Sequence, residues 1–153
     1  MPQSPNLKPH NSEPKPGMRC LCATVRRTGR LLTRQYEEAL RPAGVTVSQF
    51  ELMNTVRAME PVDQSRLAKQ LESDQTTLSR NIKLLLELGW ISAVSEQDGR
   101  RRSYRLSEDG LKTLREAARH WQRVHDRMEA KLGLSELWPI LDRIQDATRG
   151  EQL

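Results

Sequence analysis

The stretch from Asp74 to Leu106 is DQTTLSRNIKLLLELGWISAVSEQDGRRRSYRL, and its hydrophobic period changes halfway along. The first half repeats large apolar residues every three or four positions, at Leu78, Ile82, Leu85 and Leu88. This spacing is typical of one face of an amphipathic helix. Asp74 suits the N-cap of that helix, and Gly89 suits the position just past its end. The first half therefore predicts a short helix that buries one face.

The second half has the two-residue period of β-strands. Residues 90–94 and 103–106 are the predicted strands, and residues 95–102 form the tip between them. Within the tip, Asp98 and Gly99 form a dipeptide that favours a tight hairpin turn. The sequence therefore predicts a β-hairpin directly after the helix.

A second short helix is predicted immediately before Asp74. Its apolar positions are Leu67, Ala68 and Leu71, and Asp63 is the candidate N-cap. Two short helices joined by a tight turn form a helix-turn-helix, and the hairpin that follows makes it winged. The expected fold class is mainly α with a small β-hairpin wing, in which a winged helix-turn-helix domain is joined to a helical dimerisation region.

Two helices are predicted upstream of this domain. The first carries an apolar stripe from Met18 to about Arg41, and Pro42 stops it. The second begins at a capping box formed by Thr46 and Gln49 and runs to about Met59.

Downstream, Ser107 is the predicted cap of a long helix that Gly133 ends, and Ser135 begins a last short helix. The long helix keeps a three-four alternation of apolar residues over three heptads, from Leu111 to Leu132. This seam is too long for the small winged domain to cover, so a homodimer is the expected state. The expected interface residues are Leu111, Leu114, Trp121, Met128, Leu132 and Trp138.

The composition bounds the partners of the chain. At 153 residues it has room for one domain, and its net charge is +5 with a pI near 9.6. A basic chain favours phosphate backbones, so double-stranded DNA is the expected partner. No stretch approaches the roughly 18 apolar residues of a membrane span, and no secretory signal is recognisable. A cytoplasmic protein without membrane contact is expected.

Composition also divides the chain into segments. Residues 1–17 hold five of the eight prolines and few large apolar residues, which is typical of a flexible arm. Residues 18–45 contain the first helix, which we assign to dimerisation. Residues 46–107 form the winged helix-turn-helix DNA-binding region, and residues 108–153 form the C-terminal dimerisation helices.

The helix after Asp74 has the polar face that a DNA-reading helix needs. Base edges and phosphates both lie within reach of a face that combines short donors with a few long cations. Leu78, Ile82 and Leu85 are expected to point inward. The residues left for the major groove are Gln75, Thr76, Thr77, Ser79, Arg80 and Lys83.

The hairpin is strongly basic, because Arg100, Arg101, Arg102 and Arg105 lie within six residues. Four like charges repel one another, so packing does not explain them. Arginine suits the negative potential of a narrow minor groove. We therefore interpret the helix and the hairpin together as one DNA-binding surface.

From about Arg19 to Thr148, the chain resembles the MarR family of bacterial regulators. The matching stretches, in order, are VTVSQF (45–50), LAKQL (67–71), TTLSR (76–80), LGWI (88–91), DGR (98–100) and LSEDG (106–110). The resemblance implies a dimer of interleaved first, fifth and sixth helices that acts as a repressor on a palindromic operator. It assigns Arg100 to the minor groove and Asp98 to orienting that arginine. Gly99 replaces the Arg or Lys common in the family, which shifts wing contacts toward Arg101 and Arg102.

Cys20 and Cys22 are the only cysteines and lie at the start of the first helix. The positive end of a helix and nearby arginines favour the thiolate, which is the form that reacts with oxidants. The resemblance places Cys22 where a peroxide-sensing branch of the family carries its reactive cysteine. Two tyrosines of that branch correspond here to Arg26 and Val47. Redox sensing and an inert thiol pair both stay open.

The sequence also bears on effector binding, metal sensing, enzymatic activity and protein interaction. The resemblance implies a small aromatic effector bound between the dimer helices and the winged domain. A metal sensor needs four ligands around the ion. The histidines do not complete such a set with the two cysteines, so neither a metal nor a cofactor is expected. The chain has no phosphate-binding glycine loop or nucleophile elbow, so an enzyme is not expected. The main alternative is a winged-helix protein-interaction module without specific DNA readout.

Overall fold

The computed structural model describes residues 17, 19–95 and 102–149, which are mostly helical. The helices are α1 (Leu21–Leu40), α2 (Val47–Met59), α3 (Gln64–Leu71), α4 (Gln75–Glu87), α5 (Glu108–Leu132) and α6 (Leu134–Arg149), with a 3₁₀ turn at Arg41–Ala43. The strands are β1 (Val62–Asp63), β2 (Ile91–Ser95) and β3 (Arg102–Leu106). The fold class expected from the sequence is confirmed. The chain divides into two units between Leu32 and Thr33.

The predicted caps hold the starts of four helices. At α2, the Thr46 hydroxyl accepts the Gln49 N–H at 3.2 Å, and the Gln49 side chain accepts the Thr46 N–H at 2.9 Å. Asp63, Asp74 and Ser107 each accept the backbone N–H three residues further on, at 2.8–2.9 Å. Each cap pairs a donor that the first helical turn leaves without a partner. These helix starts therefore follow from the local sequence.

The hairpin belongs to a three-stranded antiparallel sheet in the order β1-β3-β2, so β3 is its central strand. β1 pairs Val62 with Tyr104 and Asp63 with Ser103. Periodicity does not reveal β1, because two residues are too few to show an alternation. The sequence therefore predicts a two-stranded hairpin where the structure has a sheet of three.

Both long strands begin one residue away from their predicted positions. The Trp90 N–H donates to the Leu85 carbonyl at 2.9 Å, and the Gly89 N–H donates to the Leu86 carbonyl at 3.0 Å. With Gly89 at a φ of 69°, these two bonds form a Schellman motif at the end of α4. Trp90 still belongs to the helix end, so β2 begins at Ile91. β3 begins at Arg102, which pairs with Ser95.

The outer helices differ from the prediction at their ends. α1 begins at Leu21 rather than at residue 18, which lies outside the described residues, and it ends at Leu40. α6 begins at Leu134 rather than Ser135, because the Glu129 carboxylate accepts the Leu134 N–H at 3.1 Å. α6 continues to Arg149 through an internal proline, so it is not the short helix that the sequence predicts.

The hydrophobic core lies around α2, where Leu52, Met53 and Val56 are almost completely buried. Side chains of α3, α4, the sheet and the first half of α5 complete it. This packing leaves one face of α4 exposed to solvent, together with Arg102 at the start of β3. None of the helices in the described part of the chain is long and apolar enough to cross a membrane.

Candidate nucleic-acid interface

Helix α4 has one buried face and one polar, exposed face. Leu78, Ile82 and Leu85 are at most 3% exposed and fix the helix on the core. The six predicted DNA-reading residues are all exposed: Gln75, Thr76, Thr77, Ser79, Arg80 and Lys83. The structure therefore brings these six side chains together on one surface. Lys83 lies 3.8 Å from Glu87 in an exposed ion pair, which holds the lysine only weakly.

The start of α4 is held by polar contacts. Hydrogen bonds from the Thr77 hydroxyl and the Thr77 N–H hold the pKa of Asp74 below its usual value. The Gln64 amide of α3 donates to the Gln75 side chain at 3.2 Å, which ties the two helix starts to each other. Gln64 was not identifiable from the sequence, because its role depends on how the two helices are packed.

The described part of the wing carries two exposed arginines, Arg102 and Arg105. Asp98, Arg100 and Arg101 lie outside the described residues. The base of the wing is fixed at the other end of β3, where the Leu106 N–H donates to the Glu60 carboxylate at 2.9 Å. Glu60 also pairs with Arg57 at 2.6 Å. The strand that leads to the wing arginines is therefore anchored to the end of α2.

A surface cavity with a volume of about 800 Å³ lies between α3, α4 and β3 and is here called the basic groove. Its residues are Asp63, Gln64, Ser65, Arg66, Lys69, Ser79, Ile82, Lys83, Leu86, Arg102 and Tyr104. Four of these are cations and one is a carboxylate. The sequence indicated Lys83 and Arg102 but not Arg66 and Lys69. Their three-residue spacing on the polar face of α3 is the signal that could have found them.

The two cysteines are exposed at the start of α1. The Cys20 carbonyl accepts the Thr24 N–H at 3.0 Å, within the first helical turn. A shallow surface next to Cys20 includes three arginines, Arg19, Arg27 and Arg30. Among the described residues, no three His, Cys, Asp or Glu side chains could hold a metal ion together.

Some residues of the predicted dimer seam are buried within their own chain, and others are exposed to solvent. Leu114 is buried in the core of its own chain, and Leu111 and Met128 are half-buried. Trp121 stacks on His125 with ring centres 4.4 Å apart and on Phe50 at 5.9 Å. Leu132 and Trp138 are 51% and 49% exposed, and Ile140 of α6 is 52% exposed. The far end of α5 and the first turns of α6 therefore leave large apolar side chains in contact with solvent.

Three comparisons with known proteins each find regulators. A sequence model of the MarR family matches residues 43–102. The HTH-type transcriptional regulator YwoH of Bacillus subtilis is 28% identical over 98 residues, which cover 64% of this chain and 72% of YwoH. The M. tuberculosis transcriptional regulator MosR, solved in complex with DNA, is 27% identical with a TM-score of 0.79, covering 88% of this chain and 100% of that one. The winged helix-turn-helix region of this chain therefore resembles that of the MarR family.

Two less similar solved structures share the fold. Wild-type MarR from E. coli is 20% identical with a TM-score of 0.68, over 83% of this chain and 98% of MarR. The transcriptional repressor CouR, bound to a 23-mer DNA duplex, is 20% identical with a TM-score of 0.77, over 90% of this chain and 99% of CouR. The family model, YwoH and MosR agree with the winged-helix transcriptional regulator, rather than an enzyme, that the sequence predicts.

Proposed function

We propose that this chain is a MarR-family regulator that binds a palindromic double-stranded DNA operator in the cytoplasm as a homodimer, and that it represses transcription there. In each protomer, α4 enters the major groove and the wing enters the adjacent minor groove. The observation that carries the proposal is the α4 surface, where all six predicted reading residues are exposed beside the basic groove. The proposal is supported by two similar proteins that are bound to DNA in their solved structures, the regulator MosR and the transcriptional repressor CouR.

The residues of α4 fall into two roles. Gln75, Thr76, Thr77 and Ser79 are short or planar hydrogen-bonding groups suited to base edges. Arg80 and Lys83 are longer and charged, and they reach either guanine edges or phosphates. On the wing, Arg100 enters the minor groove, oriented by Asp98, and Arg101 and Arg102 add contacts beside it.

The homodimer is supported by exposed apolar side chains that a single chain leaves in water. On α6 these include Trp138 and Ile140, and Leu132 at the end of α5 is exposed as well. On α1, Leu21, Val25 and Leu31 are also exposed. Burying such groups on a second copy is favourable by about 25 cal/mol per Å². Sedimentation equilibrium of Trp138→Asp should show a shift toward monomer, whereas an unchanged dimer would exclude this surface from the interface.

Selection of DNA fragments by the purified protein tests the function. We expect a palindrome whose half-sites are about one helical turn, roughly 10 base pairs, apart. If the winged helix binds only proteins, no DNA sequence should be enriched above the starting pool. A single unrepeated half-site among the selected fragments would contradict the dimer and leave DNA binding intact.

Release from DNA has two candidate signals. The first is a small aromatic effector, supported by a cluster of half-buried rings in which Tyr36, Phe50 and His125 all contact Trp121. An added ring that stacks here should change tryptophan fluorescence and weaken operator binding, and Trp121→Leu should abolish both effects. If the effector released Trp121→Leu from DNA as well as it releases the wild type, the effector site would lie elsewhere.

The second signal is oxidation of Cys20 and Cys22, which are both exposed. An organic hydroperoxide transfers its terminal oxygen to the Cys22 thiolate and leaves as the alcohol after taking up a proton. The Cys20 thiol then displaces water from the sulfenic acid to form a disulfide. Hydroperoxide should release the wild-type protein from DNA and leave Cys22→Ser bound. If both proteins stay bound after treatment, thiol control is excluded.

A further inference from the structure

The turn between α3 and α4 sets the direction in which α4 continues from α3. It consists of Glu72, Ser73 and Asp74. Glu72 has a φ of 48°, and among the described residues it is the one residue other than glycine whose φ is positive. A Cβ atom disfavours this left-handed region, so a glycine would adopt the same turn at a lower steric cost. The Glu72 side chain is therefore the feature of the turn that needs an explanation.

That side chain is bound by the last residue of α6. The Arg149 Nε donates to the Glu72 Oε1 at 2.6 Å, and the Arg149 Nη2 contacts the same oxygen. Two other residues of α6 also hold the guanidinium, because Gln145 accepts from Nη2 at 3.4 Å and Asp146 lies 3.6 Å from Nη1. Within the part of the chain that the structure describes, only Arg149 joins α6 to α3 or α4 by a hydrogen bond or an ion pair.

The ion pair lies close in sequence to the residues that read bases in the proposed function. Residues 75–77 form the first turn of α4, three to five positions after Glu72. The N–H groups of Glu72 and Ser73 both donate to the Ala68 carbonyl of α3. Hydrogen bonds to base edges depend steeply on distance and angle, so a small rotation at this turn weakens them. Contacts from long, flexible cations to phosphates are less sensitive to such a rotation.

We propose that Arg149 is a positioning residue for DNA recognition, which holds Glu72 and thereby fixes the orientation of α4 relative to α6. This inference rests on the proposed function and deepens it, because it makes the last helix of the C-terminal region part of base readout. Arg149 acts through Glu72 and does not itself contact DNA. The side chains of Arg149 and Glu72 are 57% and 50% exposed, so the pair has a modest effect.

The test measures the ratio of operator affinity to non-operator affinity in Arg149→Gln and in Glu72→Gln. The two variants change the charge in opposite directions, so general attraction to DNA falls in the first and rises in the second. Taking the ratio cancels this general effect. Both variants should nevertheless lower the ratio, by about two- to fivefold. The double variant should lower it no further than either single variant, because one contact is lost in all three.

A matched control and a second measurement locate the effect. Arg143→Gln removes an exposed arginine from the same helix, for which the described residues provide no ion pair, and it should keep the wild-type ratio. Amide hydrogen exchange at Glu72 and Ser73 should be faster in Arg149→Gln than in the wild type, with exchange in α2 unchanged. Thermal unfolding followed by circular dichroism checks that the variants fold. Glu72→Gly, which relieves the left-handed backbone and removes the same contact, serves if Glu72→Gln does not fold.

The outcomes separate this inference from the proposed function. A wild-type ratio in both single variants overturns the positioning role even if operator preference is intact. If Arg149→Gln loses the same factor of affinity for both DNAs and has a lower salt slope, Arg149 is a phosphate ligand and the inference is wrong. Faster exchange in α2 as well would make the pair a contribution to overall stability instead. If the wild type shows no operator preference, the proposed function fails, while exchange at the turn still tests whether Arg149 holds it.

Discussion

Gly110 is the residue whose replacement should disturb the link between the end of α4 and the start of α5 most directly. A Cβ atom added at this position would lie 1.9 Å from the carbonyl oxygen of Trp90 and 2.7 Å from its carbonyl carbon. Both neighbours are backbone atoms, so no side-chain rotation relieves the clash. Ordinary contact begins at 3.4 Å, so the start of α5 must move away from Trp90 by about 1.5 Å.

That movement breaks two hydrogen bonds as well as the packing. Ser107 donates its N–H to the Trp90 carbonyl at 3.0 Å and its hydroxyl to the Gly89 carbonyl at 2.6 Å. Each such bond contributes about 0.5–1.5 kcal/mol net, and overpacking costs about 1–3 kcal/mol. Gly110→Ala should therefore lower the free energy of unfolding by about 2–6 kcal/mol.

Urea denaturation followed by circular dichroism measures this loss, with an unchanged m-value showing that the unfolding reaction is the same. Gly29→Ala is the matched control. It makes the same chemical change inside helix α1, where an added Cβ meets no atom within 4 Å. Alanine is favoured over glycine in a helix interior, so the control should be neutral or stabilising by about 0.5–1 kcal/mol. A loss below about 0.5 kcal/mol in Gly110→Ala would refute the packing argument.

Three further predictions concern the wing and two titrating groups. Arg100→Ala should weaken operator binding by about 1–3 kcal/mol, and unchanged binding isotherms would remove the wing from the DNA contacts. The pKa of Asp74 is lowered in the folded protein. Its contribution to stability is therefore complete above the ordinary carboxyl pKa and is lost as pH falls through the folded value. Asp74→Asn should reduce the loss of stability that the protein shows as the pH is lowered. Burial raises the pKa of Tyr36, so its contribution is complete below the ordinary phenol pKa of 10.0 and is lost above the folded value. Absorbance at the phenolate band should therefore show later ionisation in the wild type than in the unfolded chain, and Tyr36→Phe should remove that step.

Local chemistry made the helices predictable. Thr46, Asp63, Asp74 and Ser107 act within one helical turn of their own positions, so sequence alone locates the four helix starts that they cap. The exposed face of α4 was also predictable, because burial of every third or fourth residue leaves the remaining residues in solvent.

What depends on contacts beyond one helical turn was not predicted. β1 exists because Val62 meets Tyr104, and α6 begins early because Glu129 reaches the Leu134 N–H. The three-residue spacing of Arg66 and Lys69 is visible in the sequence, but the groove that α3, α4 and β3 enclose is not. A charge on a helix is ordinary by itself, and its position relative to other cations gives it a role.

The packing at Gly110 also connects DNA recognition to the predicted dimer seam. The Schellman motif that ends α4 contributes the Gly89 and Trp90 carbonyls, and Ser107 at the start of α5 donates to both. α5 then extends from this junction to Leu132, where the exposed apolar surface begins. The position of α4 is thus fixed on the same helix that leads to the proposed partner. In the proposed homodimer, this junction therefore helps to set the distance between the two copies of α4. Substitutions there should alter which half-site spacing is bound, whereas substitutions on the polar face of α4 should alter which bases are read.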